Sequence, residues 1–169
     1  LISDKLFMNL TLVYSNYSYS LGVPFGPQAF NWTSTIINSE AKLDFSHYLS
    51  SKLTLEYGGE FQNYKFYPGE VTGIGDESSF STITVQKETA IMPSIYTGAK
   101  QDLSKKIKLL YGLRYTHYFN VGSYNLNLYK YGVPTTAQDI IGVQQYDNGE
   151  VVAQYGGLEP RLAINYIVN

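Results

Sequence analysis

The chain has 169 residues, with 17 Tyr and 8 Phe but only 15% charged residues and a formal net charge of -2. That balance excludes a basic nucleic-acid-binding stripe, and the lack of Cys excludes disulfides and thiolate metal sites. Average soluble domains carry about 25% charged residues, so an aromatic-rich, charge-poor chain of slightly negative mean hydropathy suits a wall with lipid on one side and water on the other.

A turn motif opens the chain and recurs twice. Ile2-Ser3-Asp4-Lys5-Leu6 is matched by Leu49-Ser50-Ser51-Lys52-Leu53 and by Leu103-Ser104-Lys105-Lys106-Ile107. In each, an apolar residue, Ser, any residue, Lys and an apolar residue follow in order. Ser and Asp bond neighbouring backbone groups and favour turns, so all three predict tight turns at one rim of a sheet. Each interval between turns then holds an up-strand, a loop and a down-strand.

Alternation with period two predicts strands at about 5–20, 29–48, 52–67, 87–102, 106–121 and 157–169. In the first, Leu6, Met8, Leu10, Leu12 and Tyr14 share a face. In the second, Ile37, Ser39, Ala41, Leu43 and Phe45 oppose Asn38, Glu40, Lys42 and Asp44. In the third, Leu53, Leu55, Tyr57, Gly59 and Phe61 oppose Thr54, Glu56, Glu60 and Gln62. The fourth is weaker, with Ile91, Ile95 and Ala99 on its apolar face and Pro93 removing one ladder donor. The fifth sets Ile107, Leu109, Tyr111, Leu113, Tyr115 and Phe119 against Lys108, Arg114 and Thr116. The sixth sets Leu158, Leu162, Ile164, Tyr166 and Val168 against Glu159 and Arg161. None of these apolar faces carries Asp, Glu, Lys or Arg.

The connections 21–28, 68–86 and 122–156 are long, unlike the three rim turns. Short turns on one rim and long loops on the other is the layout of an outer-membrane barrel. The expected fold class is therefore all-β: an antiparallel up-and-down transmembrane β-barrel segment of about six long strands, part of a larger barrel. Two features favour lipid over a second protein layer. Soluble strands average about 5–6 residues, whereas the second and third here run on the order of 15–19, or roughly 50–60 Å. Aromatics also gather toward the long-loop ends, at Tyr14, Tyr17, Tyr19, Phe30, Trp32, Phe61, Tyr64, Phe66, Tyr67, Tyr115, Tyr118 and Phe119, which predicts an interfacial girdle. No apolar run approaches the roughly 20 residues of a transmembrane helix, which barrels do not use.

At these residues the chain resembles a known family. Ala99-Lys100-Gln101-Asp102, the following turn, and Leu110-Tyr111-Gly112-Leu113-Arg114-Tyr115 look like the barrel pattern of TonB-dependent outer-membrane receptors of the Bacteroidetes type. Tyr57-Gly58-Gly59-Glu60-Phe61 and Leu158-Glu159-Pro160-Arg161-Leu162-Ala163-Ile164-Asn165-Tyr166 are similar to strands flanking long loops in the same family. The resemblance implies a 22-stranded barrel in the bacterial outer membrane, closed by an N-terminal plug. It further implies coupling through that plug to the TonB energy-transducing complex, and uptake of a siderophore, vitamin, glycan or peptide. Residues 1–169 are expected to be part of the barrel domain of a longer chain, with plug and remaining strands elsewhere.

No catalytic constellation is recognisable, so an outer-membrane barrel hydrolase is the weaker reading, and no cofactor is expected. His47 and His117 lack metal-ligand spacing. Thr72-Gly73-Ile74-Gly75-Asp76-Glu77 lacks the full phosphate-loop pattern, and Ser78-Ser79-Phe80-Ser81 reads as loop. Asp76 with Glu77, or Asp139 with Asp147, have the chemistry for Ca²⁺ but read better as solvated loop acids. Asn9-Leu10-Thr11, Asn16-Tyr17-Ser18 and Asn31-Trp32-Thr33 match glycosylation sequons by chance, within strands. The 122–156 loop offers the best ligand contacts: Tyr124, Tyr129, Tyr131, Gln144, Gln145, Tyr146 and Tyr155. Tyrosine joins an apolar ring to a polar tip, which suits sugars or aromatic chelators. A soluble β-sandwich adhesin or carbohydrate-binding module is the alternative, since its sheets also alternate.

Overall fold

The structure, a computed structural model, describes residues 3–133 and 135–168. Ile2 of the first turn motif and Asn169 of the sixth predicted strand lie outside the described residues. The strands are β1 (Leu6–Val23), β2 (Phe30–Ser50), β3 (Leu53–Gly73), β4 (Ile83–Thr84), β5 (Glu88–Asp102), β6 (Ile107–Val121), β7 (Tyr124–Tyr129), β8 (Ile140–Tyr146) and β9 (Val151–Tyr166). Six form one antiparallel up-and-down sheet in the order β1-β2-β3-β5-β6-β9; β4 pairs only with β3, and β7 with β8 makes a separate hairpin. Two expectations need correction. The sixth long strand starts at Val151, not 157, and the segment 122–156 holds the β7–β8 hairpin and a 3-10 turn at Ala137–Asp139. Gly156 and Gly157 hid that start, because glycine is depleted in strands.

The recurrent motif is a serine-capped turn at all three sites. The Ser3 Oγ accepts the Lys5 N–H at 3.4 Å, the Ser50 Oγ that of Lys52 at 3.2 Å, and the Ser104 Oγ that of Lys106 at 3.2 Å. The same side-chain oxygen satisfies a backbone donor two residues on, which holds the bend. Pro93 has the effect its missing N–H requires. It pairs with Phe61 of β3, while the β5–β6 ladder skips Met92 and Pro93 and resumes unshifted at Ser94↔Thr116.

Register sorts the side chains. Leu10, Leu43, Gly59, Ile95, Tyr115 and Leu158 are successive cross-strand partners, one row across all six strands. A row lies on one face of the sheet, so the apolar faces of the six strands join into one continuous belt. Among the described residues nothing covers it. Leu10 is 58% exposed, Ile95 67%, Leu158 65% and Ile164 63%; among the described residues the only buried apolar side chains are Ala29, Val71, Ala90 and Ala99. The accessible surface of 11941 Å² compares with about 8,400 Å² for a compact monomer of this mass by the usual size scaling. The excess is what a single sheet without a second layer presents. The sheet is also open: among the described residues neither β1 nor β9 has a partner on its outer side.

The opposite face is polar, and one glycine shapes it. Gly58 lies between Asp44 of β2 and Tyr96 of β5, and the Tyr96 ring crosses over it so that its hydroxyl donates to Asp44. A Cβ at Gly58 would meet the Leu43 carbonyl oxygen at 2.2 Å and the Tyr96 Oη at 2.5 Å. Backbone cannot yield as a side-chain tip can. Gly58→Ala is therefore expected to lose about 1–3 kcal/mol, the usual cost of overpacking, measurable as a lower unfolding midpoint in urea.

Candidate functional site

The polar face has two zones. In the zone nearer the short turns, charged side chains form a chain of contacts from β2 to β9. The Gln62 amide donates to Glu40 Oε2 at 3.3 Å and to Glu60 Oε1 at 2.5 Å. Glu60 Oε2 lies 3.1 Å from Arg114 Nη2. Arg114 Nε donates to Thr116 Oγ1 at 3.2 Å, and Thr116 Oγ1 donates to Glu159 Oε1 at 2.8 Å. Lys42 meets Asp44 at 3.1 Å and Lys100 meets Glu56 at 2.5 Å. Most of these pairs are well solvated and contribute little each. Glu60 differs, since its side chain is only 8% exposed.

A concavity of about 610 Å³ opens on this zone and touches β2, β3, β5, β6 and β9. Its floor is low where Gly98 faces Gly112 across the β5–β6 ladder. Lys42, Asp44, Glu56, Lys100, Arg114 and Arg161 stand around it. Mixed charges around a glycine floor make a hydrated trough.

The second zone, which meets the first at the row of Glu40, Gln62 and Tyr118 and extends toward the long loops, is aromatic. Tyr17 and Tyr19 project from β1 with ring centroids 6.3 Å apart. Tyr64 and Phe66 stack on β3 at 5.7 Å and 9°. Tyr118 of β6 stacks on its cross-strand partner Tyr155 of β9 at 4.8 Å and 22°. Trp32 stands at the upper end, its Nε1 donating to Ser34 Oγ at 2.9 Å, and Ser34 Oγ in turn donates to the Pro68 carbonyl at 2.5 Å.

This placement corrects the expected girdle. Tyr17, Tyr19, Phe30, Trp32, Tyr64, Phe66 and Tyr118 share rows with the polar face. Tyr14, Phe61, Tyr67, Tyr115 and Phe119 keep to the apolar face. There His117 joins them, stacking on Phe119 at 4.3 Å and bonding the Tyr115 hydroxyl at 2.8 Å. Counting aromatics by height along the strand had merged two populations that parity separates. Leu6 to Tyr14 occupy even positions on β1, so the odd-numbered Tyr17 and Tyr19 must face the other way.

The loop residues do not assemble into one site. Tyr124 and Tyr146 pair across the β7–β8 hairpin, with Leu126 and Gln144 as the next pair on that face. Gln145 pairs with Asn125 on the other face. Tyr129 is at the far end of β7, and Tyr131 is fully exposed beyond it. Tyr155 lies within β9 rather than in a loop, as half of the Tyr118 stack. The hairpin touches the neighbouring loop where the Asn125 N–H donates to Gln86 at 3.3 Å.

The Ser-rich stretch ties loops together. Ser78 Oγ donates to the Ala29 carbonyl at 2.6 Å and Ser79 Oγ to that of Pro27 at 2.8 Å. Asp139 accepts from Thr136, and the Asp147 N–H donates to Glu150 Oε2 at 2.6 Å. Among the described residues no three His, Asp or Glu side chains converge on a point. No family model, no characterised protein and no solved structure matches this chain.

Proposed function

We propose that this chain is part of the wall of a bacterial outer-membrane β-barrel, a nutrient receptor of the TonB-dependent kind, with its apolar face in lipid and its polar face lining the lumen. The carrying observation is the belt: six strands wide, free of charge and uncovered by any other element of the described chain. A soluble sandwich buries such a face beneath a second layer. The belt has the height a bilayer asks for. On β1 it runs from Leu6 to Tyr14 and then gives way to Asn16, Ser18 and Ser20 on the same face; on β9 it runs from Leu158 to Tyr166. Either stretch matches the roughly 9–11 residues of a crossing strand.

The belt also slants. Its centre on β1, Leu10, shares a row with Leu158, whereas its centre on β9 is Leu162. That offset over five strand spacings corresponds to a tilt of roughly 30°, near the range of barrel strands. Above the belt the apolar-face positions turn to hydroxyls, with Ser18 to Thr35 at 2.7 Å and Ser20 to Thr33 at 2.9 Å. In this reading β1 and β9 pair with further strands of the barrel, because lipid does not tolerate open edges. Loop and lumen residues bind the nutrient, and work transmitted by the TonB complex to a plug opens the path.

Alternate labelling tests this. Residues 1–169 contain no Cys, and single cysteines are placed along β1 in a cysteine-free background of the full-length protein in outer membranes. Leu10→Cys and Leu12→Cys are expected to react only with a bilayer-soluble maleimide, and Thr11→Cys and Val13→Cys with a membrane-impermeant one. Equal aqueous reactivity at all four, in protein extracted without detergent, would sink the proposal. Protection of Leu10→Cys from both reagents in soluble protein would point to the sandwich instead.

A further inference from the structure

The apolar face changes character just above the belt. The row through Tyr14, Ile91 and Phe119 closes the belt. The next row on that face brings Asn16, Ile37, Lys65 and Thr89 together, and Lys65 is the first Lys or Arg met on it above the short turns. One step further toward the loops, the Lys87 ammonium lies over the Tyr67 ring at 4.9 Å. Lys65 pairs with Thr89, which makes Lys87 its diagonal neighbour, about 7–8 Å away between backbones. Both lysines are exposed, and among the described residues neither belongs to an ion pair. Like charges so placed repel, and an anion between them removes the repulsion.

A concavity of about 450 Å³ opens beside the two lysines. Ile37 lies at its belt end, Tyr67 and Lys87 come next, and Thr33, Glu70 and Thr84 form its far end. Glu70 is the cross-strand partner of both threonines, so the three share the outer face. A register shift between Thr33 and Thr35 bends the sheet at this level. From the belt outward the lining is therefore apolar, then cationic, then hydroxylated. An amphiphile with an acyl chain, a phosphate and a hydroxyl-bearing headgroup has the same order.

We infer that this outer concavity binds the headgroup of an anionic lipid in the leaflet on the long-loop side, with its phosphate between Lys65 and Lys87 and its hydroxyls against Thr33, Thr84 and Glu70. The concavity is continuous with the belt at Ile37 and lies on the face away from the lumen, so membrane lipid reaches it and a transported nutrient does not. Only Asn63 separates Lys65 from Phe61, the last apolar residue on this face of β3. A lysine stem lies back along such an edge with its ammonium at headgroup depth, where each cation attracts anionic lipid. Glu70 stands at the end away from Lys65, where it accepts from hydroxyls rather than opposing the phosphate. The inference goes beyond nutrient uptake and rests on the belt facing lipid.

The test is native mass spectrometry of the full-length protein in detergent, titrated with lipid A, lipid A stripped of phosphate, phosphatidylcholine and inorganic phosphate. Lipid A, a phosphorylated disaccharide lipid, is expected to bind about ten-fold more tightly than its phosphate-free form or phosphatidylcholine. Lys65→Gln and Lys87→Gln are each expected to weaken it about five-fold, and Lys65→Arg to retain it. Lys52→Gln removes the same charge at an exposed short turn and is expected to leave binding unchanged. Urea midpoints equal to that of the parent protein show that these surface variants fold. Equal binding of the phosphate-free lipid, affinity indifferent to Lys65 and Lys87, or an equal loss in Lys52→Gln would each overturn the inference. Inorganic phosphate bound as tightly as lipid A would assign the lysines to a free anion and overturn the lipid. The outcome is separable from that of the barrel. Alternate labelling on β1 without phosphate-dependent lipid binding would sink the lipid site alone. Aqueous reactivity throughout β1 would sink the barrel, and with it the leaflet that the site needs.

Discussion

Ile95→Lys is expected to lower the stability of the protein in a bilayer by about 2–4 kcal/mol, the cost of a cation at mid-membrane depth on the lipid face of a barrel. Ile95 is the midpoint of the belt on β5, which runs from Ile91 to Ala99, and it is 67% exposed in the chain by itself. That exposure makes the measurement decisive. On a water-facing sheet, substitution at so open a position changes stability by no more than about 0.5 kcal/mol. The cost should also depend on depth. Lysine at Ile91, near the upper boundary, is expected to cost about 0–1 kcal/mol. Lysine at Met92, on the polar face, should stay within about 0.5 kcal/mol. Urea titration of the full-length protein folded into liposomes reads all three, and a flat response along Ile91, Met92 and Ile95 would remove lipid from the account.

The same parity that singles out Ile95 explains what could be read from residues alone. Six long strands, their order and the three rim turns were legible because each rests on a local signal. Period-two alternation marks a strand with two unlike faces, and a Ser two positions before a Lys marks each turn. What stayed hidden was non-local or masked by composition. The β7–β8 hairpin is short, and Gly142 and the Tyr-rich flanks blur its alternation. The early start of β9 was obscured by Gly156 and Gly157, over the first of which Tyr115 folds. The candidate ligand residues suffered most. Tyr124, Tyr129, Tyr131, Gln144, Tyr146 and Tyr155 are neighbours in sequence, yet pairing sends Tyr155 to the Tyr118 stack and leaves Tyr131 alone at a tip. The aromatic pairs of the polar face were missed for the converse reason. Tyr17, Tyr64 and Tyr118 are distant in sequence and become neighbours only through the register of the sheet.

Register also puts Arg114 where its loss is costly. Arg114→Ala is expected to destabilise the protein by about 3–5 kcal/mol, because it strands Glu60 without a counter-ion. The Glu60 side chain is 8% exposed and the Arg114 side chain 23%, so water can replace the guanidinium only in part. Arg114 also donates to Thr116, which holds Glu159, and its removal loosens β6 from β9 as well as from β3. Arg161 is the contrasting case. Its pair with Glu159 is 3.4 Å long, with side chains 70% and 46% exposed, and Arg161→Ala should cost no more than about 1 kcal/mol. If the penalty arises from the stranded carboxylate, Glu60→Gln in the Arg114→Ala background should recover most of it, because an amide needs no counter-ion. A double-mutant cycle by urea unfolding measures that coupling. A loss below about 1 kcal/mol for Arg114→Ala would mean that water reaches Glu60 freely, and the trough would then be a solvated surface rather than a cross-braced wall. A full loss with recovery by Glu60→Gln places the bracing between β3 and β6, on the polar face one step to the short-turn side of the Tyr118–Tyr155 stack.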